Sequence, residues 1–314
     1  VKLSPEIVQQ IIELKNYGYS SRKIAAILNI GKTTVNDNLS KIAKETPALN
    51  QIQKSKPRVL LFDLESTPSI VAAFGRWKVN IGTESVMREG GYLLSACWKY
   101  LDDEEVTKIV LTSEEAFLGN DSRIVCALFE AFENADIVIA HNAKKFDVPL
   151  FNTRLLANGM PPAKPVKVVD TLQIAKKNLK FNSNKLDSLG HYLGVGRKIE
   201  TTGMSLWLRC MDGDEEALQD MLTYNEQDVI LLEKVYLALR AFDPSPANMG
   251  HYFNDYEHHC PACGSTDVDE SGNSVYTPVS QFAEVVCNSC GHRSRKRIAL
   301  NSKEKRSKLL VTAR

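Results

Sequence analysis

Three short motifs set acidic side chains where they could share a divalent cation. Arg58-Val-Leu-Leu-Phe-Asp63-Leu-Glu65 is an apolar run that ends in two acids. In a strand, residues i and i+2 point to one face, so Asp63 and Glu65 project together while Leu64 faces the core. Two adjacent carboxylates repel unless a cation lies between them. A lone D-x-E also fits a solvated strand end. The second run, Asp136-Ile-Val-Ile-Ala-His141-Asn142-Ala-Lys-Lys-Phe146-Asp147, carries a buried strand into a polar loop. Asp147 falls where a helix begins, a place the helix dipole also favours for an acid. In Tyr224-Asn-Glu-Gln-Asp228 the positions i and i+4 share a helix face, so hydroxyl and carboxylate point the same way. Ile230, Leu231 and Val235 continue the core face, and Glu226 points to the surface.

A second metal chemistry is written in the cysteines. Cys260-Pro-Ala-Cys263 and Cys287-Asn-Ser-Cys290 are separated by 23 residues, and Gly264 and Gly291 each follow a pair. Two C-x-x-C turns at this spacing predict one structural Zn²⁺ in a zinc ribbon, since a redox site needs only one pair. His258, His259 and His292 lie nearby and are not required as ligands. Cys97, Cys126 and Cys210 sit in apolar surroundings and are read as core residues, as free thiols in a reducing compartment usually are. Arg293, Arg295, Lys296 and Arg297 follow the second pair and suit nucleic acid.

The elements that must position these groups follow from periodicity. Three short helices are expected over 5–46. Ile7, Val8, Ile11, Ile12 and Leu14 form an apolar stripe, Tyr17-Gly18-Tyr19-Ser20 breaks it, and Ser20 or Ser21 caps a second helix holding Ile24, Ala25, Ile27 and Leu28. Gly31 marks a tight turn before a third helix with Val35, Leu39 and Ile42 inward. Lys32, Thr33, Thr34, Asn36 and Asn38 are left outward near its start, the layout of a helix-turn-helix that enters duplex DNA. A trihelical cap touching only protein would share the pattern.

Strands are then expected over 58–65, 92–101 and 106–112, a helix over 121–134, a buried strand over 136–140, a helix over 148–158 and a strand over 166–169. A long helical stretch covers 214–242, with a break near Thr223. Antiparallel strands followed by alternating β and α elements imply an α/β layer fold with a mixed sheet. The resulting domains are 1–48 (helix-turn-helix), 49–57 (linker), 58–245 (the α/β core), 246–298 (zinc ribbon) and 299–314 (basic tail).

Among other polar residues, His141 and Asn142 lie beside the acids and either touch substrate or merely belong to a polar loop. Asp170 reads as a helix cap rather than a further ligand. His191 reads as a structural residue of an amphipathic helix. At 43% hydrophobic and 25% charged the chain has an ordinary globular composition. No run of eighteen apolar residues and no apolar leader is present, which predicts a cytoplasmic protein away from membranes. The net charge of +1 conceals an asymmetry. Residues 1–50 hold seven Lys/Arg against four Asp/Glu, 292–314 hold nine against one, and 58–291 carry a net −12. An acidic middle with basic ends fits a carboxylate site flanked by segments that meet phosphate, or else a solvated acidic surface with a basic tail.

The D-x-E strand, the N-A-x-x-F-D loop and the Y-x-x-x-D helix, in this order, resemble the DEDD exonuclease superfamily in its tyrosine (DEDDy) branch, over residues 58–242. Ser66 stands where that family usually has threonine. The runs Asn182-Ser-Asn-Lys185-Leu-Asp187-Ser-Leu-Gly190 and Glu200-Thr-Thr-Gly203-Met-Ser-Leu-Trp207 are similar to bacteriophage ribonuclease-H-like exonucleases with a C-terminal zinc ribbon. The resemblance implies a ribonuclease-H-like fold, a host-cytoplasm location and two Mg²⁺ (or Mn²⁺) ions. Asp63 would bridge both ions, Glu65 and Asp228 would complete the site of the nucleophilic water, and Asp147 would support the second ion. Tyr224 would orient the water. The implied activity is 3′-to-5′ hydrolysis of a single strand, DNA ahead of RNA, to nucleoside 5′-monophosphates. Two rivals share the architecture. A ribonuclease-H-like transposase or endonuclease would need an Asp, Asp, Glu triad and leaves Tyr224 unexplained. A DNA-binding regulator with an inactive core predicts a lost carboxylate, and none is lost.

Overall fold

The computed structural model of the chain describes residues 3–16, 21–45, 56–75, 77–101 and 103–313. It divides into two compact units, Val1–Ser55 and Lys56–Arg314. The expected break at Tyr17–Ser20 and most of the linker lie outside the described residues, as do the side chains of Ile12, Leu39 and Ile42.

The first unit comprises α1 (Pro5–Asn16), α2 (Ser21–Ile27) and α3 (Lys32–Glu45). Ile11, Ile24, Ala25 and Val35 form its core, with Ile7, Leu14, Leu28 and Ile30 against them. The tight turn before α3 falls at Asn29, with φ +50°, rather than at the expected Gly31. Asparagine is among the few side chains that tolerate this conformation.

The second unit is built on a five-stranded sheet of order β5-β4-β1-β6-β7. Its strands are β1 (Val59–Ser66), β4 (Leu93–Tyr100), β5 (Thr107–Val110), β6 (Ile137–Ala140) and β7 (Lys167–Asp170). β1 runs antiparallel to β4 and parallel to β6, so the sheet is mixed, as the pattern of elements predicted. Between β1 and β4 stands a two-stranded ribbon of β2 (Ile70–Val71) and β3 (Val86–Arg88), which the sequence pattern did not reveal. Helices α4 (Ser113–Leu118), α5 (Ser122–Glu133) and α6 (Asp147–Ala157) follow, then α7 (Thr171–Asn178), α8 (Leu186–Leu193) and α9 (Met204–Met211). The last core helix, α10 (Glu215–Leu239), has 25 residues and is about 37 Å long at 1.5 Å per residue.

Alternation along β1 sorts its side chains between two cores. Leu60, Phe62 and Leu64 join Phe132, Phe151 and the α5 side. Val59 and Leu61 join Val229, Leu232, Val235 and Leu239 of α10 on the other face. Asp63 and Glu65 take the next two places on the α10 face. The expected break of α10 near Thr223 is absent. The Thr223 hydroxyl donates to the Gln219 carbonyl at 3.0 Å, which satisfies it inside a continuous helix. A second expectation also changes. Cys97 and Cys210 are buried, but Cys126 is exposed, because α5 turns Ile124, Val125, Leu128 and Phe132 inward and leaves 126 outside.

The C-terminal part forms a three-stranded sheet, β10-β9-β8, from β8 (Val268–Tyr276), β9 (Gln281–Cys287) and β10 (Arg293–Ala299), followed by α11 (Lys303–Ser307). It is tied to the core by Met249, whose N–H donates to the Pro261 carbonyl, and by His292, bonded to the Ala241 carbonyl at 3.0 Å. Among the described residues no helix is long and apolar enough to cross a membrane.

One contact in this fold has no slack. A Cβ on Gly190 of α8 would lie 2.6 Å from Leu231 Cδ1 and 2.8 Å from the Gly196 carbonyl oxygen. Alanine would gain about 1 kcal/mol of helix propensity, but overpacking against backbone costs about 1–3 kcal/mol. Gly190→Ala is therefore expected to lower the denaturant midpoint without changing its slope. A stabilised variant would show that the α8–α10 contact yields easily.

Candidate functional site

The strand, loop and helix motifs converge at the end of β1. One carboxylate oxygen each from Asp63, Glu65 and Asp228 lies within 4.8 Å of the others. Asp147 is not within that trio but borders it. It is buried beside the backbone N–H of Leu64, between the two β1 acids, which favours its ionised form. Asp147 opens α6, and α6 is clamped through Arg154, whose guanidinium makes two bonds of 2.6 and 2.9 Å to the buried Asp121 carboxylate. The loop before it is held by Asp170, which caps α7 as expected. The same carboxylate accepts the Asn142 and Lys144 backbone N–H groups at 3.1 and 3.3 Å. Asn142 itself has φ +72°.

Burial is the largest influence on each of these acids, and it favours the neutral form. Burial, then the charges of Asp228, Asp147 and Glu65, push Asp63 well above the usual carboxylate range. Glu65 is raised to about 7 by burial and by Asp228. Asp147 is raised to about 7 by burial, against the lowering effect of its backbone bonds. Asp228 is raised by burial against the opposing charge of Lys198.

Three partners of the acids were not singled out by the sequence. Lys198 Nζ donates to Asp228 Oδ2 and, at 3.0 Å, to the Tyr224 hydroxyl oxygen. Its loop is held where the Lys198 backbone N–H meets Asp187 Oδ1 at 3.0 Å. Asn225 Nδ2 donates to Asp63 Oδ2 at 2.8 Å. Trp207 on α9 lies beside the Glu65 carboxylate, where it favours the ionised form, and packs edge-on against Tyr224, 6.0 Å between centroids. The only local hint was Asn225, a poor helix former in the middle of a long helix. Lys198 carries no local signal, because Tyr224 and Asp228 lie 26 and 30 residues away, and Trp207 carries none because Glu65 and Tyr224 belong to other elements.

A cation fits this donor set. Among the described residues, Asp228 Oδ1 is buried and has no hydrogen-bond partner, beside two further carboxylates that disfavour their own ionisation. Tyr224 is pushed up to about 12, mainly by burial and then by Asp228, so at neutral pH it is a neutral hydroxyl. His141 is held by Thr171 Oγ1 and the Asn184 carbonyl, both at 2.9 Å, and burial lowers its pKa. It is a neutral brace of the loop. His191 lies exposed on α8. Beside the acids opens a cleft of about 630 Å³, lined by His141, Asn142, Asn184, Asp187 and Lys198, within the usual range for ligand sites.

The four ribbon cysteines form a second cluster, also within 4.8 Å of one another. Cys260 and Cys290 sulfurs are 3.7 Å apart, and those of Cys263 and Cys287 are 3.6 Å apart. These are too long for disulfides and match the spacing of about 3.8 Å that tetrahedral ligands with ~2.3 Å bonds require. The turns close through Gly264 N–H to the Cys260 carbonyl and Gly291 N–H to the Cys287 carbonyl, both 2.8 Å. His259 is engaged elsewhere, with Asp255 and the Gly264 carbonyl, and stacks on Phe253. In the first unit, Lys32, Thr33 and Asn36 are exposed and Thr34 is half-buried.

A mixed sheet in this strand order, with acids at the end of its first strand and on its last long helix, defines a ribonuclease-H-like fold. A family model described as RNase_H superfamily matches residues 80–240, and the chain belongs to that superfamily. The match includes Asp147, Tyr224 and Asp228 and begins after β1. Among solved structures, the chain is similar to the family B DNA polymerase of the hyperthermophilic archaeon Pyrobaculum calidifontis, with 14% identity and a TM-score of 0.42. The similarity covers 78% of this chain and 40% of the polymerase, so the chain spans less than half of that protein. No curated protein matches.

The raised carboxylates have a thermodynamic signature. Without a cation, groups whose folded pKa exceeds the unfolded value favour folding below the unfolded pKa. That contribution is lost as pH rises, here from about 4.5 to about 7 for Glu65. A divalent cation offsets the loss, so Mn²⁺ is expected to raise Tm far more at pH 8 than at pH 6. Asp63→Asn should raise the metal-free Tm at pH 8 and shrink the Mn²⁺ effect. An equal Mn²⁺ shift in that variant would remove Asp63 from the site.

Proposed function

We propose that this chain is a divalent-metal-dependent nuclease that shortens single-stranded nucleic acid from its 3′ end, with DNA preferred to RNA. The observation that carries the reading is the trio of half-buried Asp63 and Glu65 with buried Asp228, bordered by Asp147, next to a neutral tyrosine hydroxyl and an open cleft. The resemblance of the three motifs to the DEDDy exonucleases supplies the polarity of the reaction and the exonucleolytic mode.

Asp63, Glu65, Asp228 and Asp147 would hold two Mg²⁺ or Mn²⁺ ions. When bound, such ions supply Lewis-acid stabilisation of the attacking and leaving oxygens of an in-line displacement. The protein's own groups divide the remaining work. Lys198 engages one Asp228 oxygen and leaves the other free to act as a ligand. Asn225 fixes the Asp63 carboxylate in the same way. Tyr224 is too weak an acid to act as a base through its phenolate, so it orients the attacking water by hydrogen bonding. The Lys198 ammonium, 3.0 Å from that hydroxyl, adds positive charge where a phosphodiester would come to lie. Water adds to phosphorus, the P–O3′ bond breaks, and the products are a 5′-monophosphate and a shortened strand with a free 3′-hydroxyl.

The remaining parts support the same substrate class. The Cys260, Cys263, Cys287 and Cys290 cluster is assigned one structural Zn²⁺ in a ribbon. Its β10 strand and the tail carry most of the basic excess. Lys32, Thr33, Thr34 and Asn36 at the start of α3 are assigned a duplex-DNA contact, as in a helix-turn-helix.

A linear single strand should shorten stepwise from its 3′ end with release of 5′-monophosphates, while a closed circle of the same sequence survives. Rapid cleavage of the circle would replace the exonuclease reading by an endonuclease. Asp228→Asn should lower kcat by about 10³-fold or more. Tyr224→Phe should lower kcat by about tenfold with KM nearly kept, since the hydroxyl acts on the reacting water rather than on binding. Zinc is expected at one ion per chain by elemental analysis and absent in Cys260→Ser. Zinc-free wild-type protein, prepared without chelator, would sink the ribbon assignment.

A further inference from the structure

The ribbon of β2 and β3 has no part in the chemistry described so far. Its strands pair at Ile70–Arg88 and Val71–Val86, with the Ala72 N–H donating to the Ser85 carbonyl beyond them, and an isolated two-stranded ribbon is marginally stable in water. Its neck, however, is firmly built. The Gly91 N–H donates to the Thr67 carbonyl and the Gly90 N–H to Ser69 Oγ, and a Cβ on Gly90 would fall 2.3 Å from the Pro68 carbonyl. Arg88 donates to the carbonyls of Met211 and Ala116 and pairs with Asp212 at 3.0 Å. Met211 ends α9, the helix whose Trp207 touches Glu65 and Tyr224. The ribbon therefore springs from the acidic end of β1 and is pinned to a helix that borders the site.

Its tip is apolar where solvent should make it polar. Phe74 is fully exposed, Trp77 is 89% exposed, and Ile81 and Met87 are more than half exposed. The segment between the strands, 72–85, contains Arg76 and Lys78 against one acid, Glu84, although the domain around it is strongly acidic. Aromatic faces combined with cations suit unpaired bases and their phosphates. A protein partner would need about 800 Å² of surface on each side, more than two aromatics on a narrow ribbon provide. We infer that Phe74 and Trp77 stack bases of the substrate strand upstream of the bond to be cut, holding a polyanion beside an acidic site that would otherwise repel it. This rests on the nuclease reading for its substrate, but it makes a separate claim about binding.

The test uses the full chain carrying Asp228→Asn, so that binding is measured without cleavage. The probe is fluorescein-labelled oligothymidine about twelve nucleotides long, within the span of known single-strand sites. Phe74→Ala/Trp77→Ala should weaken binding about tenfold or more, as the loss of stacked bases requires. Phe74→Tyr/Trp77→Phe, which keeps the ring faces, should restore it. Unlabelled oligothymidine should quench tryptophan fluorescence in the parent, and Trp77→Phe should remove that quenching. In the active chain, Phe74→Ala/Trp77→Ala should raise KM on the long strand with kcat largely kept. Binding unchanged by the alanine pair, or no quenching from Trp77, overturns the inference. So does a parent that binds no single strand, which would turn these aromatics toward a protein partner. Binding and Trp77 quenching in a wild-type chain that hydrolyses nothing would sink the nuclease reading and leave the stacking surface standing.

Discussion

Mutual repulsion among carboxylates at the end of β1 is the constraint around which the core is arranged. Two unit charges 4.8 Å apart repel by about 3–4 kcal/mol at an effective dielectric near 20. Asp63, Glu65 and Asp228 form three such pairs, and a whole domain is stable by only about 5–15 kcal/mol. The acids cannot all be ionised there without compensation. Part comes from protonation, which the raised pKa values express. Part comes from Lys198 on Asp228, Asn225 on Asp63 and Trp207 on Glu65. None of these reaches Asp228 Oδ1, which is buried without a partner among the described residues. A bound cation is the compensation that the geometry leaves open.

Such a site needs a frame stiff enough to keep like charges together. The frame comes from burial on both sides of β1, with the α5 core under Leu60 and Phe62 and the α10 core under Val59 and Leu61. Helix α10 supplies both an apolar stripe and the Tyr224, Asn225 and Asp228 cluster, so the acids cannot separate unless a 25-residue helix lifts from the sheet. Two buried aspartates act as clamps rather than ligands. Asp121 ties α6 to β4 through Arg154 and the Leu93 N–H, and Asp170 ties the Asn142–Asp147 loop to α7. The loop of Lys198 is seated where Gly190 lets α8 approach the Gly196 carbonyl.

The ribbon solves a different problem. Its strands carry too little apolar surface for a core of their own, and its buried cluster consists of Cys260, Ala262 and Cys287 with few neighbours. Small sheets of this kind depend on a metal or a disulfide for stability. Sulfur pairs at 3.6 and 3.7 Å leave the metal as the fitting choice. The basic strand β10 can therefore be displayed at a sheet edge without a large hydrophobic foundation.

Local periodicity carried a good part of this arrangement. The i, i+2 rule set Asp63 and Glu65 on one face of β1, the i, i+4 rule aligned Tyr224 with Asp228, and the C-x-x-C spacing paired the cysteines. The order of strand and helix signals yielded a mixed sheet. Local rules also misled where two outcomes were possible. Thr223 bonds back to Gln219 instead of breaking the helix, and Cys126 falls on the outward side of an otherwise buried stretch. The ribbon β2–β3 escaped notice because strands of two and three residues are shorter than any period that could reveal them. By itself, then, the sequence determined which way each acid points from its own strand or helix. Only the tertiary structure decided which elements meet, and so which residues balance the charge. Lys198 reaches Asp228 across 30 residues, and Asn225 reaches Asp63 across 162. The physical reason is that a backbone period fixes direction within one element, whereas charge compensation depends on distances between elements that only packing sets.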